Sequence, residues 1–175
     1  MQTMANRCYI GLGANLTEPV AQLKRAVAAL ALLPASQLRQ VSQLYSSKPM
    51  GPQDQPDYVN AVAAIDTELT PEQLLAALQN IEQQQGRARK AERWGPRTLD
   101  LDILLYGKHT LNTDTLTIPH YGMHLREFVL YPLAELAPEL VLPDGTTLNT
   151  LLAQVPLNGL RPLPLAAHSA LCNLA

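Results

Sequence analysis

Aromatic side chains are scarce: one Trp, one Phe and six Tyr among 175 residues. A surface that stacks successive bases needs such rings, so single-stranded nucleic-acid binding has little to build on. A basic excess is missing too. Thirteen Lys and Arg stand against fifteen Asp and Glu, and the pI is near 6.1, whereas whole-domain nucleic-acid binders are usually basic. Two cysteines, Cys8 and Cys172, make no disulfide framework and read as reduced thiols. The longest apolar run, 26–33, is far too short to span a bilayer. Residues 1–7 are polar and lack the apolar core of a signal peptide. The expectation is a cytoplasmic protein that engages neither membrane nor nucleic acid.

Familiar nucleotide motifs are absent as well. No GxxxxGK[ST] loop occurs, Gly11-Leu12-Gly13 lacks the third glycine of a dinucleotide fingerprint, and the kinase catalytic-loop and DFG motifs are missing. Any nucleotide site must therefore be assembled from side chains. What is present is an ordinary globular mix, 47% hydrophobic and 16% charged, at the length of one domain. No internal repeat or low-complexity linker divides it. A single domain over 1–157 is expected, followed by a tail, 158–175, without periodicity.

The first strand is predicted over 7–12. Thr17 is placed to cap a helix with Pro19 in its first turn, Val20, Leu23, Val27 and Leu30 as its stripe, and Pro34 beyond its end. Residues 38–45 read as a second strand of imperfect alternation. Residues 46–57 hold Pro49, Gly51, Pro52 and Pro56 and read as a long loop, of the kind that is usually functional or disordered. A strand follows over 58–69. Thr70, Pro71 and Gln73 form a capping-box signature before the stripe Leu74, Leu75, Leu78 and Ile81, with Gly86 as the stop. Residues 98–106 alternate cleanly as a last strand, which Gly107 turns. A short hairpin is expected from His109, then helical turns within 125–137. The order β-α-β-β-α-β predicts an α+β, ferredoxin-like fold: an antiparallel sheet with both helices packed on one face and long active-site loops. That fold hosts many functions and names none.

Chemistry concentrates in 86–102. Arg87, Arg89, Lys90, Arg93 and Arg97 supply five of the thirteen basic residues around the sole tryptophan, Trp94, against one acid, Glu92. A basic cluster is usually a solvated loop, but arginine's planar fork also suits phosphate. The next segment favours the second reading. Asp100 and Asp102 lie two apart on an alternating strand, so both project from one face, roughly 7 Å apart at the backbone. Such carboxylates repel unless a cation offsets them, and Mg²⁺ binds through one or two carboxylates plus substrate phosphates. Basic loop and acidic pair together point to a Mg-nucleotide site. Gln79 and Glu82 lie just off the second helix's apolar stripe, where they can face the basic loop. His120 and Tyr121 follow Pro119 in an irregular stretch, with Arg126 soon after. Tyr58, Asn60 and Phe128 are isolated, and periodicity promotes none of them.

Four segments in order, Tyr9-Ile-Gly-Leu-Gly-Ala-Asn-Leu16, Gly51-Pro-Gln-Asp-Gln-Pro-Asp-Tyr-Val-Asn60, the stretch 86–105 and Ile118-Pro-His-Tyr121, resemble the 6-hydroxymethyl-7,8-dihydropterin pyrophosphokinases of folate synthesis. The resemblance covers about 7–145, and 89–102, ending in RTLDLDI, is its most specific part. It implies transfer of the β,γ-pyrophosphoryl unit of ATP to the pterin hydroxymethyl oxygen, with release of AMP. It assigns Asp100 and Asp102 to two Mg²⁺ ions, and Arg87 and Arg97 to the phosphates and the charge that develops on them. It also implies that Gln79, Glu82, Arg89, Trp94, Ile103, Thr117, His120, Tyr121 and Arg126 face ATP; beyond the resemblance, Glu82 is expected to orient the arginines. For the pterin it implies a sandwich between Tyr58 and Phe128. Asn60 would read the aminopyrimidine edge beside the loop Ser47, Lys48, Pro49 and Met50. The loops from Ser46 and Gly86 would close as lids that exclude water. A monomer is expected.

The chain departs from the family's usual pattern at three places. Ser47-Lys48-Pro49 replaces a Thr-Pro-Pro, and Thr115 and His124 stand at positions often basic. An Asp-x-Asp phosphohydrolase would use Asp100 as a nucleophile, but it needs a second acidic pair and a downstream lysine, and only Lys108 follows the strand. A non-catalytic ferredoxin-like nucleotide, pterin or RNA-binding module is the other alternative. ATP turnover distinguishes it.

Overall fold

The computed structural model describes residues 5–15, 18–48, 57–87 and 99–163. Strand β1 (Asn6–Ala14) turns Cys8, Ile10, Leu12 and Ala14 to one face, all buried, and gives Tyr9, Gly11 and Gly13 to the other. Burial pushes the Cys8 thiol up to about 12, so it behaves as a small hydrophobe. Helix α1 (Pro19–Ala31) buries Leu23, Ala26, Val27 and Leu30. The expected cap, Thr17, lies outside the described residues. The N-cap position belongs to Glu18, at φ 57° and without a side-chain cap bond. Pro19 then opens the helix where no amide proton is needed.

Residues 38–45, expected as one strand, form parts of two: β2 (Ser36–Val41) and β3 (Tyr45–Ser47). Both pair antiparallel with β4 (Tyr58–Thr67), and β2 bulges between Leu38 and Gln40. The extra residue accounts for the imperfect alternation. Ser42 bridges the gap between them: its N–H donates to the Val62 carbonyl (2.8 Å), and its Oγ accepts from the Val62 N–H (2.9 Å).

Helix α2 (Pro71–Glu82) carries the predicted capping box. Thr70 Oγ1 accepts from the Gln73 N–H (3.2 Å), and Gln73 Oε1 from the Thr70 N–H (2.9 Å). Leu74, Leu78 and Ile81 are buried, and Leu75 is half-buried. Gly86 does not stop the helix: it lies inside a π-helical turn, Gln83–Arg87, that continues α2. Strand β5 (Asp100–Tyr106) pairs antiparallel with β1 at the sheet's edge. The register slips between Tyr9 and Ile10, which leaves Leu104 as an extra, bulged residue. Asp100, Asp102 and Leu104 therefore share a face, and Leu101 and Ile103 pack against α1 and α2 on the other. Gly107 turns the chain at φ 53°, as expected of it.

The order β5-β1-β4 with β2 and β3 beside β4, each of α1 and α2 crossing over a strand, is the ferredoxin-like arrangement the sequence predicts. The second face differs from expectation. After a hairpin of β6 (Leu111–Asn112) and β7 (Thr117–Ile118) and a 3₁₀ turn over Met123–Leu125, helices α3 (Glu127–Leu136) and α4 (Leu148–Gln154) cover it. Val129, Leu130, Leu133, Leu148 and Leu151 pack there on Tyr9, Val62 and Ala64. Seven residues are too few for α4 to show a helical period in the sequence.

The expected break after 157 also falls within packed chain. Leu160 is buried, β8 (Arg161–Pro162) pairs with β3, and the Leu163 N–H donates to the Leu44 carbonyl (2.9 Å). At the end of the sheet opposite Asn60, Asp66 on β4 takes Arg7 of β1 at 2.5 Å and Arg39 of β2 at 2.7 Å. Its hydrogen bond to Arg7 is the main reason its carboxyl is held below the usual range. Among the described residues no helix is long and apolar enough to cross a membrane.

Candidate active site

The second helical layer covers only part of its face. Beside Val62, two rows of the sheet are left uncovered by the described residues. One runs Asp100, Gly13, Asn60, and the other Asp102, Gly11. The two glycines of β1 leave a low floor between an acidic wall on β5 and an amide wall on β4. A Cβ added at Gly13 would lie 3.1 Å from Asn60 Oδ1, and one at Gly11 would lie 3.3 Å from Leu104 Cδ2. A groove forms over this floor, bounded by Ser47, Lys48 and Tyr58 on one side and by His120, Arg126 and Phe128 on the other.

In the amide half, Asn60 is 4% exposed and its Nδ2 donates to Ser47 Oγ at 2.6 Å. Ser47 is itself buried, so the amide is fixed in one orientation before any ligand arrives. Strand β3, which carries Ser47, is braced from above. The Gln43 N–H (2.9 Å) and the Tyr45 hydroxyl (2.5 Å) both donate to Glu135 on α3. Burial is the larger cause, and that acidic partner the next, of a Tyr45 hydroxyl pushed above its usual range. Tyr58 and Phe128 both line the groove.

In the acidic half, Asp100 and Asp102 line the same groove. His120 Nε2 lies 3.9 Å from Asp102 Oδ1, while His120 Nδ1 accepts from the Gly122 N–H at 3.2 Å. An accepting Nδ1 leaves the ring proton on Nε2, facing the carboxylate. Burial is the leading cause that holds this imidazole below its usual range; Asp102 opposes it and Arg126 reinforces it. The Arg126 guanidinium lies 5.9 Å from the Tyr121 ring centroid and 5.7 Å from that of Phe128, and Tyr121 stacks on His120 at 4.8 Å. One cation thus bridges the two halves through two aromatic faces. Hard carboxylate oxygens suit Mg²⁺. Among the described residues no group of three or more His, Cys, Asp or Glu could hold a metal ion.

Of the residues singled out in the sequence, Ser47, Lys48, Tyr58, Asn60, Asp100, Asp102, His120, Arg126 and Phe128 converge on this groove. Gln79 is exposed on α2, and Tyr121 stands at the rim, 71% exposed. Thr117 lies on β7, and the Ile103 side chain packs in the core against α1 and α2. Glu82 is buried behind β5, not in the groove. Pro49, Met50, Arg89, Trp94 and Arg97 lie outside the described residues, and Arg87 enters only as backbone of the π turn. Thr115 and His124 are exposed. The sequence reading missed Gly11 and Gly13, dismissed as an incomplete dinucleotide motif. Their spacing of two on a strand was the available signal that both belong to one face.

A family model described as 7,8-dihydro-6-hydroxymethylpterin-pyrophosphokinase matches residues 9–138. A Pseudomonas aeruginosa protein named 2-amino-4-hydroxy-6-hydroxymethyldihydropteridine pyrophosphokinase is 56% identical over 161 residues, which cover 92% of this chain and 99% of that one. A Haemophilus influenzae protein of the same name is 57% identical over 146 residues, 83% of this chain and 91% of that one. Among solved structures, a Plasmodium falciparum HPPK-DHPS superposes with TM-score 0.71 at 15% identity. It covers 87% of this chain, and this chain spans 46% of its length. At that identity the likeness speaks for the fold.

Proposed function

Because the chain belongs to the 7,8-dihydro-6-hydroxymethylpterin-pyrophosphokinase family, we propose that the groove performs that family's reaction with the residues assembled there. The β,γ-diphosphoryl group of ATP passes to the hydroxymethyl oxygen of 6-hydroxymethyl-7,8-dihydropterin. That oxygen bonds to the β-phosphorus, the bridge to the α-phosphate breaks, the hydroxyl proton is lost and AMP departs. The observation that carries the reading is the placement of an oriented amide and two carboxylates around one glycine floor in a single groove.

In this reading the pterin lies over Gly13. Its aminopyrimidine edge meets the Asn60 amide that Ser47 holds, and its rings lie between Tyr58 and Phe128. A locked amide distinguishes donor from acceptor on that edge, and a wrong edge would leave buried polar groups unpaired. The triphosphate lies toward Asp100 and Asp102. These carboxylates would hold Mg²⁺, two ions by the family resemblance, which when bound neutralise phosphate charge and favour in-line displacement. Arg126 places its cation between Tyr121 and Phe128, where it can bind phosphate while packing against the pterin wall. His120 can donate Nε2–H to a phosphate oxygen. Arg87, Arg89, Trp94 and Arg97, with Gln79, Ile103 and Thr117, are carried from the resemblance as further nucleotide contacts. Such positioning and electrostatic terms supply most of phosphoryl-transfer catalysis.

Two variants separate the halves of the groove. Asp102→Ala is expected to abolish turnover while pterin affinity, read by calorimetry, stays near that of the unmodified protein. Asn60→Ala is expected to weaken pterin binding about tenfold to a hundredfold, the cost of an unpaired buried hydrogen-bonding edge. Near-normal turnover in Asp102→Ala would remove the metal assignment, and unchanged pterin affinity in Asn60→Ala would remove the pterin pose.

A further inference from the structure

Among the described residues, strand β5 has a paired strand on one side only. Its inner edge pairs with β1, and its outer edge is the end of the sheet, where backbone N–H and C=O groups need other partners. Two contacts supply them. The Leu101 N–H donates to Glu82 Oε2 at 2.8 Å, and the His120 N–H donates to the Leu104 carbonyl at 3.0 Å. The first contact falls on the residue between the two aspartates. The two contacts together bracket Asp102. Glu82 is the last residue of α2, it is 4% exposed, and it does not line the groove. A buried carboxyl there is costly unless its oxygens are used.

We propose that Glu82 is a positioning residue: its hydrogen bond to the Leu101 amide stands in for a missing neighbouring strand and fixes the spacing and direction of the Asp100 and Asp102 carboxylates. The proposal rests on the reading of those aspartates as metal-binding, and it stands beside the expectation that Glu82 orients the arginines, whose side chains at 87–97 lie outside the described residues. A strand edge held at its midpoint cannot twist freely, and carboxylates on flanking residues inherit that constraint. Outer groups of this kind set the orientation of metal ligands without touching the metal. Only an acceptor is required, so the geometry makes a definite demand. Glutamine satisfies it through its own Oε1, and alanine does not.

Mn²⁺ is the probe, titrated by electron paramagnetic resonance in the presence of α,β-methylene-ATP, which cannot turn over. Glu82→Ala is expected to weaken Mn²⁺ binding about tenfold or more, and Glu82→Gln to remain within about threefold of the unmodified protein. Hydrogen exchange at the Leu101 amide is expected to quicken in Glu82→Ala and to stay slow in Glu82→Gln. Should Glu82→Ala not fold, Glu82→Gln decides alone: retained Mn²⁺ affinity supports the role, and lost affinity in a folded protein overturns it. A folded Glu82→Ala that binds Mn²⁺ like the unmodified protein overturns it as well. Unmodified protein that binds no Mn²⁺ overturns the metal reading of Asp100 and Asp102 and this role with it.

Discussion

Two glycines of β1, Gly11 and Gly13, keep the floor of the groove low. Gly13 lies between Asp100 and Asn60 in one row, and a methyl group there would press at 3.1 Å on the Asn60 carbamoyl oxygen. That amide has little freedom to yield, because Ser47 holds its other end at 2.6 Å. Gly13→Ala is therefore expected to raise the pterin KM about tenfold, the equivalent of one displaced hydrogen bond, with a smaller change in the ATP KM. Steady-state kinetics in each substrate checks this, and an unchanged pterin KM would show that the floor is not used. At this scale the acidic pair was legible, because a period of two is a local property and puts Asp100 and Asp102 on one face whatever surrounds them. Asn60, Tyr58 and Phe128 were legible only through family resemblance. What brings them to one groove is the antiparallel register of β3 on β4 and the docking of α3, and no spacing along the chain encodes either. Glu82 shows the same limit: its hydrogen bond to Leu101 depends on where α2 ends against β5.

The start of α2 and the turn after β5 were read correctly from local punctuation, while the stop at Gly86 and the elements defined by their neighbours were not. Helix α2 announces itself with Thr70, Pro71 and Gln73, and the structure closes that capping box. The break between β2 and β3 has no such mark; it exists because Ser42 bonds to Val62 where a ladder pair would otherwise stand. The C-terminal segment is the clearest case. The sequence reads 158–175 as a tail without periodicity, yet β8 pairs with β3, Leu160 is buried, and Gly159 comes so close to Lys48 that an added Cβ would meet its Cε at 3.1 Å. Ser47 and Lys48 both line the groove, so this segment backs that wall of it. Truncation after Pro156 is expected to cost about 2 kcal/mol from Leu160 alone. That lowers Tm by on the order of 5 °C. It should also raise the pterin KM more than the ATP KM. Thermal unfolding and kinetics that match the full chain would restore the simpler view of a free tail.

At the scale of the whole molecule, the fold is a sheet clothed on both faces, with one face left incompletely covered. Helices α1 and α2 seal the first face over Ile10, Ile65 and Ile103. Helices α3 and α4 seal the second only over Tyr9, Val62 and Ala64, and the groove is the uncovered remainder. The ferredoxin-like order was readable because alternating strands and capped helices fix it through local patterns. Of the second layer, α3 was readable as helical turns within 125–137, whereas α4 was not, since seven residues in a proline-rich stretch leave little periodic trace. Function followed from the family and from the convergence of the two halves of the groove, and the fold alone would have named neither. The measurement that bears most directly on this account is chromatographic product analysis after mixing the protein with Mg²⁺, ATP and 6-hydroxymethyl-7,8-dihydropterin. AMP that forms only when the pterin is present, matched mole for mole by pyrophosphorylated pterin, is the predicted result; ADP with a singly phosphorylated pterin would contradict it.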